Sequence, residues 1–344
     1  MPGAHAAPGN PSVGGGVGYL GVAVLAGLLG VLQGCATDPP GREHQRRGDE
    51  IMVCGRLFHT GTPVVLFCDA GGYDAYRTQR RFVSLADAEF TAGGPIATPN
   101  RYGNRTAGLS DREIEETRGG NWELELLQRQ VDQFVIHYDV AGTSRACFRV
   151  LHDVRGLSVH FMIDLDGTIY QTLDVKERAW HATVSNDRSV GVELANIGAY
   201  RPGTASPLDR WYTQDEDGVR VVLPAEYGSG GIRTPDFVAR PARPERIRGV
   251  INGEQLEMYD FTAQQYEALT RLVATLCAVL PGIATDYPRE ASDATALRRT
   301  LNAEELAAFK GVLGHWHVQQ NKVDPGPAFD WERVVGGAST LLGR

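Results

Sequence analysis

Residues 314–327, Gly-His-Trp-His-Val-Gln-Gln-Asn-Lys-Val-Asp-Pro-Gly-Pro, constrain this chain more than any other stretch. Two histidines, a lysine and an aspartate crowd into a short segment that ends in a rigid turn. Histidine and carboxylate are zinc ligands, and a catalytic zinc site takes three protein ligands and leaves one position open. The segment can supply two of the three. A third candidate, His137, closes the apolar run Phe134-Val135-Ile136-His137-Tyr138 far upstream, a run that reads as a buried strand. Any fold that uses all three must bring the end of that strand against this loop. The arrangement points to a metal-dependent hydrolase.

The rest of the chain supplies enough mass for such a fold. It has 344 residues, 42% hydrophobic and 22% charged, the composition of a globular protein of one large or two ordinary domains. The formal net charge of −8 gives no electrostatic reason to expect nucleic-acid binding. Residues 1–18 are rich in Gly, Ala and Pro and lack the means to build a core. The apolar run 19–32 is short for a membrane span and suits a signal-peptide core. It leads into Gln33-Gly34-Cys35, which resembles a bacterial lipoprotein processing site with Cys35 as the lipidated residue and membrane anchor. The leader departs from that pattern in carrying no Lys or Arg before the apolar run and in placing Gln33 beside the site. A translation start placed too early, or a cleavable signal, are the alternatives. Residues 1–35 are thus expected as a leader, 36–50 as a polar tether, 51–130 as an N-terminal extension, 131–335 as the catalytic domain with an insertion at 199–261, and 336–344 as a tail. Export would permit disulfides, and Cys54 and Cys68 are expected to flank a hairpin bent at Gly61 and Pro63. No CxxC spacing exists to hold a cysteine-rich zinc site.

Strand patterns are expected over 133–138, in a hairpin over 158–173 turning at Asp166-Gly167, and over 190–196; a further hairpin turns at Asn252-Gly253. Helices are expected near 109–116 with Ser110 as N-cap, over 144–153, from Thr262 to about Leu280 with Gln265 completing a capping box, and from Ala303 to Leu313, stopping at Gly314. Strands mixed with covering helices imply an α/β fold with a largely antiparallel or mixed central sheet flanked by helices.

Taken singly, the polar candidates have ordinary explanations. A histidine at a strand end is commonly structural. Glu193, inside Val-Gly-Val-Glu-Leu, is costly to bury unless paired or functional. His315 would suit the C-terminus of a helix dipole, and His317 competes with it as a ligand. His59 of the N-terminal hairpin would be a surface histidine, or one that approaches the cleft. Lys322 is a surface residue by default, although two residues from Asp324 it can share a side with it.

Their conjunction and order resemble the zinc-dependent N-acetylmuramoyl-L-alanine amidases related to AmpD, whose fold is shared with a phage lysozyme and with peptidoglycan recognition proteins. The resemblance is carried by Val135-Ile136-His137-Tyr138, by 157–167 (Leu-Ser-Val-His-Phe-Met-Ile-Asp-Leu-Asp-Gly), by Arg178-Ala179-Trp180-His181-Ala182, by 189–194 (Ser-Val-Gly-Val-Glu-Leu) and by 314–331. It implies His137, His315 and Asp324 as zinc ligands, Glu193 as the catalytic carboxylate and Lys322 as support for an oxyanion. Trp180, His181 and Asn186 would line the substrate cleft, and His160 would be structural. The substrate implied is peptidoglycan or a muropeptide, cut between the lactyl group of N-acetylmuramic acid and L-alanine. The segment from His315 to Asp324 is about one residue shorter than in cytosolic relatives, which leaves His315 and His317 as rivals. A non-catalytic peptidoglycan-binding module of the same fold is the alternative; such modules typically lack a zinc ligand. A zinc peptidase of another kind finds no HExxH spacing here.

Overall fold

The strand Gln133–Tyr138 is buried along its whole length and anchors the architecture. In the computed structural model, which describes residues 46–91, 94, 96, 102–203 and 206–344, it belongs to a six-stranded sheet. In chain order the strands are β1 (Val64–Leu66), β2 (Gln133–Tyr138), β3 (Phe161–Ile163), β4 (Ile169–Gln171), β5 (Ser189–Leu194) and β6 (Gly311–Gly314). Their spatial order is β6-β2-β5-β3-β4-β1. Within this sheet β3–β4 is antiparallel and the remaining pairings are parallel. The sheet is therefore mixed, as expected, but mostly parallel rather than largely antiparallel.

Alternation along the strands sorts residues between two faces. Phe134, Ile136, Val190, Val192, Phe161 and Ile163 share one core with Leu269, Leu272, Val273 and Leu276 of the helix Ala263–Val279. Each such side chain contributes roughly 1.5–3 kcal/mol on burial, so this layer fixes the sheet rigidly. Thr262 and Gln265 close the helix start with the expected capping box. The alternate residues Val135, His137, Gly191 and Glu193 face the other way. The β2–β5 register pairs His137 with Glu193 and sets the two polar groups side by side.

Several expectations need correction. The run 303–313 is not one helix: Ala303–Ala308 is helical, and Gly311–Gly314 is β6, which gains a full parallel ladder with β2. The hairpin within residues 51–69 does not turn at Gly61 and Pro63. Glu50–Val53 pairs with Arg56–His59 across a turn at Cys54-Gly55, both at positive φ, and Val64–Leu66 leaves to join the central sheet. Cys54 thus lies in the turn itself and cannot face Cys68, and all four cysteines among the described residues are free. The chain also joins the fold before the expected tether ends, since Arg46 bonds to Glu50 and Val64. The expected tail includes the helix Gly337–Leu341, whose Ala338 is fully buried. Cys35 and the leader lie outside the described residues. Among the described residues no helix is long and apolar enough to cross a membrane.

Candidate metal centre

β6 delivers the histidine segment to the site. Its parallel register sets Gly314 beside Ile136, so His315, the next residue, emerges next to His137. His315 opens the one-turn helix His315–Val318 and lies at its start, not at a helix C-terminus. The chain then turns back through residues 319–326, against the bare backbone of Gly314. A Cβ there would fall 2.9 Å from Pro325 Cδ and 3.2 Å from the Trp316 ring. This return brings Asp324 to both histidines.

Three ligand atoms converge. His137 Nδ1 lies 3.0 Å from His315 Nδ1 and 2.9 Å from Asp324 Oδ2, and His315 Nδ1 lies 3.0 Å from the same oxygen. The outer ring atoms decide which protons are present. His315 Nε2 is 2.8 Å from Gln319 Oε1, an acceptor only, so Nε2 carries the hydrogen. His137 Nε2 is 3.0 Å from His181 Nδ1, and His181 Nε2 in turn faces Ser189 Oγ at 3.4 Å. His315 Nδ1 is thereby bare, and with His137 donating from Nε2 to His181 two Nδ1 lone pairs and a carboxylate oxygen point at one spot. Such a triangle of acceptors is repulsive by itself and fits a cation. A zinc ion about 2.0–2.2 Å from each donor, with tetrahedral angles, needs donors roughly 3.3 Å apart, close to the spacing here.

Burial and the neighbouring His315 push the His137 ring down to about 4. Burial also acts to raise the Asp324 carboxyl, but His315 and His137 outweigh it and hold Asp324 below the usual carboxylate range. These directions favour a neutral imidazole at His137 and an ionised carboxylate at Asp324, the forms in which the two bind a metal.

His317 is turned away. Its Nδ1 accepts from the Gly314 N–H at 2.9 Å and its Nε2 donates to the Leu297 carbonyl at 2.7 Å. Both ring nitrogens are thereby engaged in the core, and burial pushes the ring down to about 3. Of the two rivals, the geometry brings His315 to the cluster.

The cluster opens into a cleft of about 180 Å³ whose wall includes Glu193, Lys322, Trp180, His181, Arg155 and Val140. Glu193 Oε2 is enclosed and has no hydrogen-bond partner. Burial, then the charge of Asp324, raises its carboxyl well above the ordinary value, while Lys322 and Arg155 pull the other way. Asn186 does not belong to this wall. It is buried, and its Oδ1 accepts from the backbone N–H groups of His181 (3.2 Å) and Ala182 (2.7 Å), which makes it a buttress of the loop rather than a cleft residue. His160 is fully buried, with Nδ1 accepting from Gly191 N–H. His59 stays on the N-terminal hairpin, 2.9 Å from Asp49 Oδ1. The sequence reading missed Gln319, whose spacing of four from His315 on a helical turn was the available signal, and gave no weight to Arg155.

The family model for N-acetylmuramoyl-L-alanine amidase matches residues 127–327, more than half of the chain. The chain belongs to the N-acetylmuramoyl-L-alanine amidase family. No curated protein matches it. Among solved structures, this amidase family member is similar to a selenomethionyl AmpD derivative at 16% identity, covering 72% of this chain and 96% of that one, with a TM-score of 0.32. It is similar to AmpDh3 from Pseudomonas aeruginosa, solved in complex with anhydromuramic pentapeptide, at 18% identity, covering 60% and 59% of the two chains, with a TM-score of 0.33. AmiD from E. coli, solved with anhydro-N-acetylmuramic acid-L-Ala-D-gamma-Glu-L-Lys, gives 18% identity, 60% and 57% coverage and a TM-score of 0.33. The match thus spans less than two thirds of the length of those last two chains.

Proposed function

We propose that this amidase family member is a zinc-dependent N-acetylmuramoyl-L-alanine amidase. It hydrolyses the amide between the lactyl group of N-acetylmuramic acid and the L-alanine of the stem peptide. The observation that carries this reading is the triangle of two Nδ1 atoms and one carboxylate oxygen, with the unpartnered Oε2 of Glu193 beside it. His137, His315 and Asp324 would hold the metal. When bound, zinc in such a site supplies Lewis acidity toward a carbonyl and lowers the pKa of water toward about 7. Glu193 takes the proton of the attacking water and returns it to the leaving amine, a role that its free, raised carboxyl suits. Lys322 faces the same cleft and offsets the negative charge that develops on the carbonyl oxygen. Trp180 and His181 flank the bound sugar-peptide junction. The presence of all three candidate ligands together with Glu193 and Lys322 favours an enzyme over a binding module of the same fold.

We also propose that the protein is exported and anchored to a membrane through lipidated Cys35, so that it meets the polymeric wall. Incubation with wall peptidoglycan and with anhydromuropeptides, followed by mass spectrometry, tests the reaction. Free stem peptides with an intact L-alanine amine are expected. Products cut within the glycan or within the peptide, or binding without release, would sink the assignment. Cys35→Ser is expected to move the protein from the membrane to the soluble fraction; retention on membranes would contradict the anchor.

A further inference from the structure

An arginine from outside the matched family segment reaches behind the metal centre. Arg105 is completely buried, yet none of its hydrogen bonds goes to a carboxylate. Enclosing a guanidinium is costly unless its donors are met. Here four of them end on backbone carbonyls: Nη2 on Val175 (3.0 Å), Nε on Lys176 (3.2 Å), and Nη1 on Asn186 (3.1 Å) and Asp187 (3.0 Å). The fifth faces His160 Nε2 at 3.1 Å, a nitrogen that itself donates to the Glu177 carbonyl at 2.9 Å.

These carbonyls stand at the two ends of one loop, 175–187, whose middle carries Trp180 and His181. A single planar fork therefore sets the span of the loop, which a lysine with its one compact head cannot do. Neighbouring residues tighten the same knot. Tyr102–Gly103 pairs antiparallel with Arg178–Ala179, and Thr106 N–H donates to Asp187 Oδ1 at 3.0 Å.

The path onward to the ligand cluster is short and polar throughout. Asn186 gives its carbonyl to Arg105 and its side-chain oxygen to the backbone N–H of His181. His181 Nδ1 lies 3.0 Å from His137 Nε2, the outer nitrogen of that ring, so its position sets how His137 Nδ1 faces the cluster. Partners that hold the outer nitrogen of a ligand histidine commonly change metal affinity by 10–100-fold when lost.

We propose that Arg105 is a positioning residue for the metal centre: by clamping loop 175–187 it sets His181, and through it the His137 ring, for zinc. The proposal rests on the zinc site of the amidase reading. The N-terminal extension then serves the centre directly, as well as lending the sheet a strand.

The test is zinc affinity, measured by competition with a chromogenic chelator on protein verified as folded by circular dichroism. Arg105→Gln is compared with wild type and with Arg188→Gln. Arg188 is a second arginine clamp, bonded to Asp132 and to the carbonyl of Ala307, away from the ligands. The expected result is a zinc Kd raised by roughly tenfold or more in Arg105→Gln, with Arg188→Gln within about twofold of wild type. Wild-type affinity in folded Arg105→Gln, or equal weakening in both variants, would overturn the clamp and leave the zinc site standing. A wild-type protein that takes up no zinc would overturn both. If Arg105→Gln does not fold, Asn186→Ala breaks the next link with Arg105 in place, and unchanged zinc affinity there overturns the proposal equally.

Discussion

Glu193 occupies a position that packing alone would give to an apolar residue. Its strand neighbours Val192 and Leu194 are buried, its Oε2 has no partner, and burial raises its carboxyl. A carboxylate in that state is held for chemistry rather than stability. Glu193→Gln keeps the shape and removes the base, so kcat is expected to fall by about 10²–10⁴-fold while zinc content, measured by elemental analysis, stays at the wild-type level. Full activity in that variant would remove Glu193 from the mechanism. Most residues of the site were legible in the sequence because their types are unusual for their surroundings: a histidine ending an apolar strand, a glutamate inside one, an aspartate before a fixed Pro-Gly-Pro turn. The choice between His315 and His317 was not legible. It depends on which way two side chains point from a single helical turn, and that follows from Gly314 N–H and the Leu297 carbonyl capturing His317. Asn186 was misread for the same reason, since its side chain turns inward to hold two backbone N–H groups.

At the scale of elements, β5 does more than carry Glu193. Its Gly191 leaves the seat on which the His181 ring rests: a Cβ at that position would come within 2.5 Å of His181 Nδ1 and 2.7 Å of Cγ. Contacts below 3 Å force movement, and the ring that must move is the one that holds His137. Gly191→Ala is therefore expected to weaken zinc binding by roughly 10–100-fold at nearly wild-type secondary structure, read by chelator competition and circular dichroism. Unchanged affinity would show that His181 does not govern the His137 ring. Elements with strong local chemistry were legible: the N-cap at Ser110, the capping box at Thr262, and the turns at Asp166-Gly167 and Asn252-Gly253. β6 was not, because Gly-Val-Leu-Gly following a helical run continues that pattern locally. Only the open edge of β2 makes it a strand. The short β1 was legible as a strand but was taken for the second arm of a local hairpin, since its partner β4 lies far along the chain.

At the scale of the molecule, the described residues from Arg46 up to the family segment form one compact unit with it, through β1, Arg105 and the bonds of Gln171 to Met52. The sequence placed the extension outside the family resemblance, and long-range hydrogen bonds of this kind leave no local pattern to read. The buried Asp164 gives the fold a pH dependence. Burial raises its carboxyl to about 7, and its Oδ2 has no partner. Since the folded value lies above the unfolded one near 3.8, the folded state holds the proton more tightly between those values. The contribution of Asp164 to stability thus declines as pH rises from about 4 to about 7 and is level beyond. Asp164→Asn is expected to gain stability relative to wild type between about pH 5 and about pH 8, read as urea midpoints; a pH-independent difference would contradict this. The account as a whole turns on the metal. The most direct measurement is release of stem peptide from muropeptides by chelated protein as zinc is added back. The account predicts no release from the metal-free protein and full recovery near one equivalent of zinc. Undiminished release after complete removal of metal would contradict it.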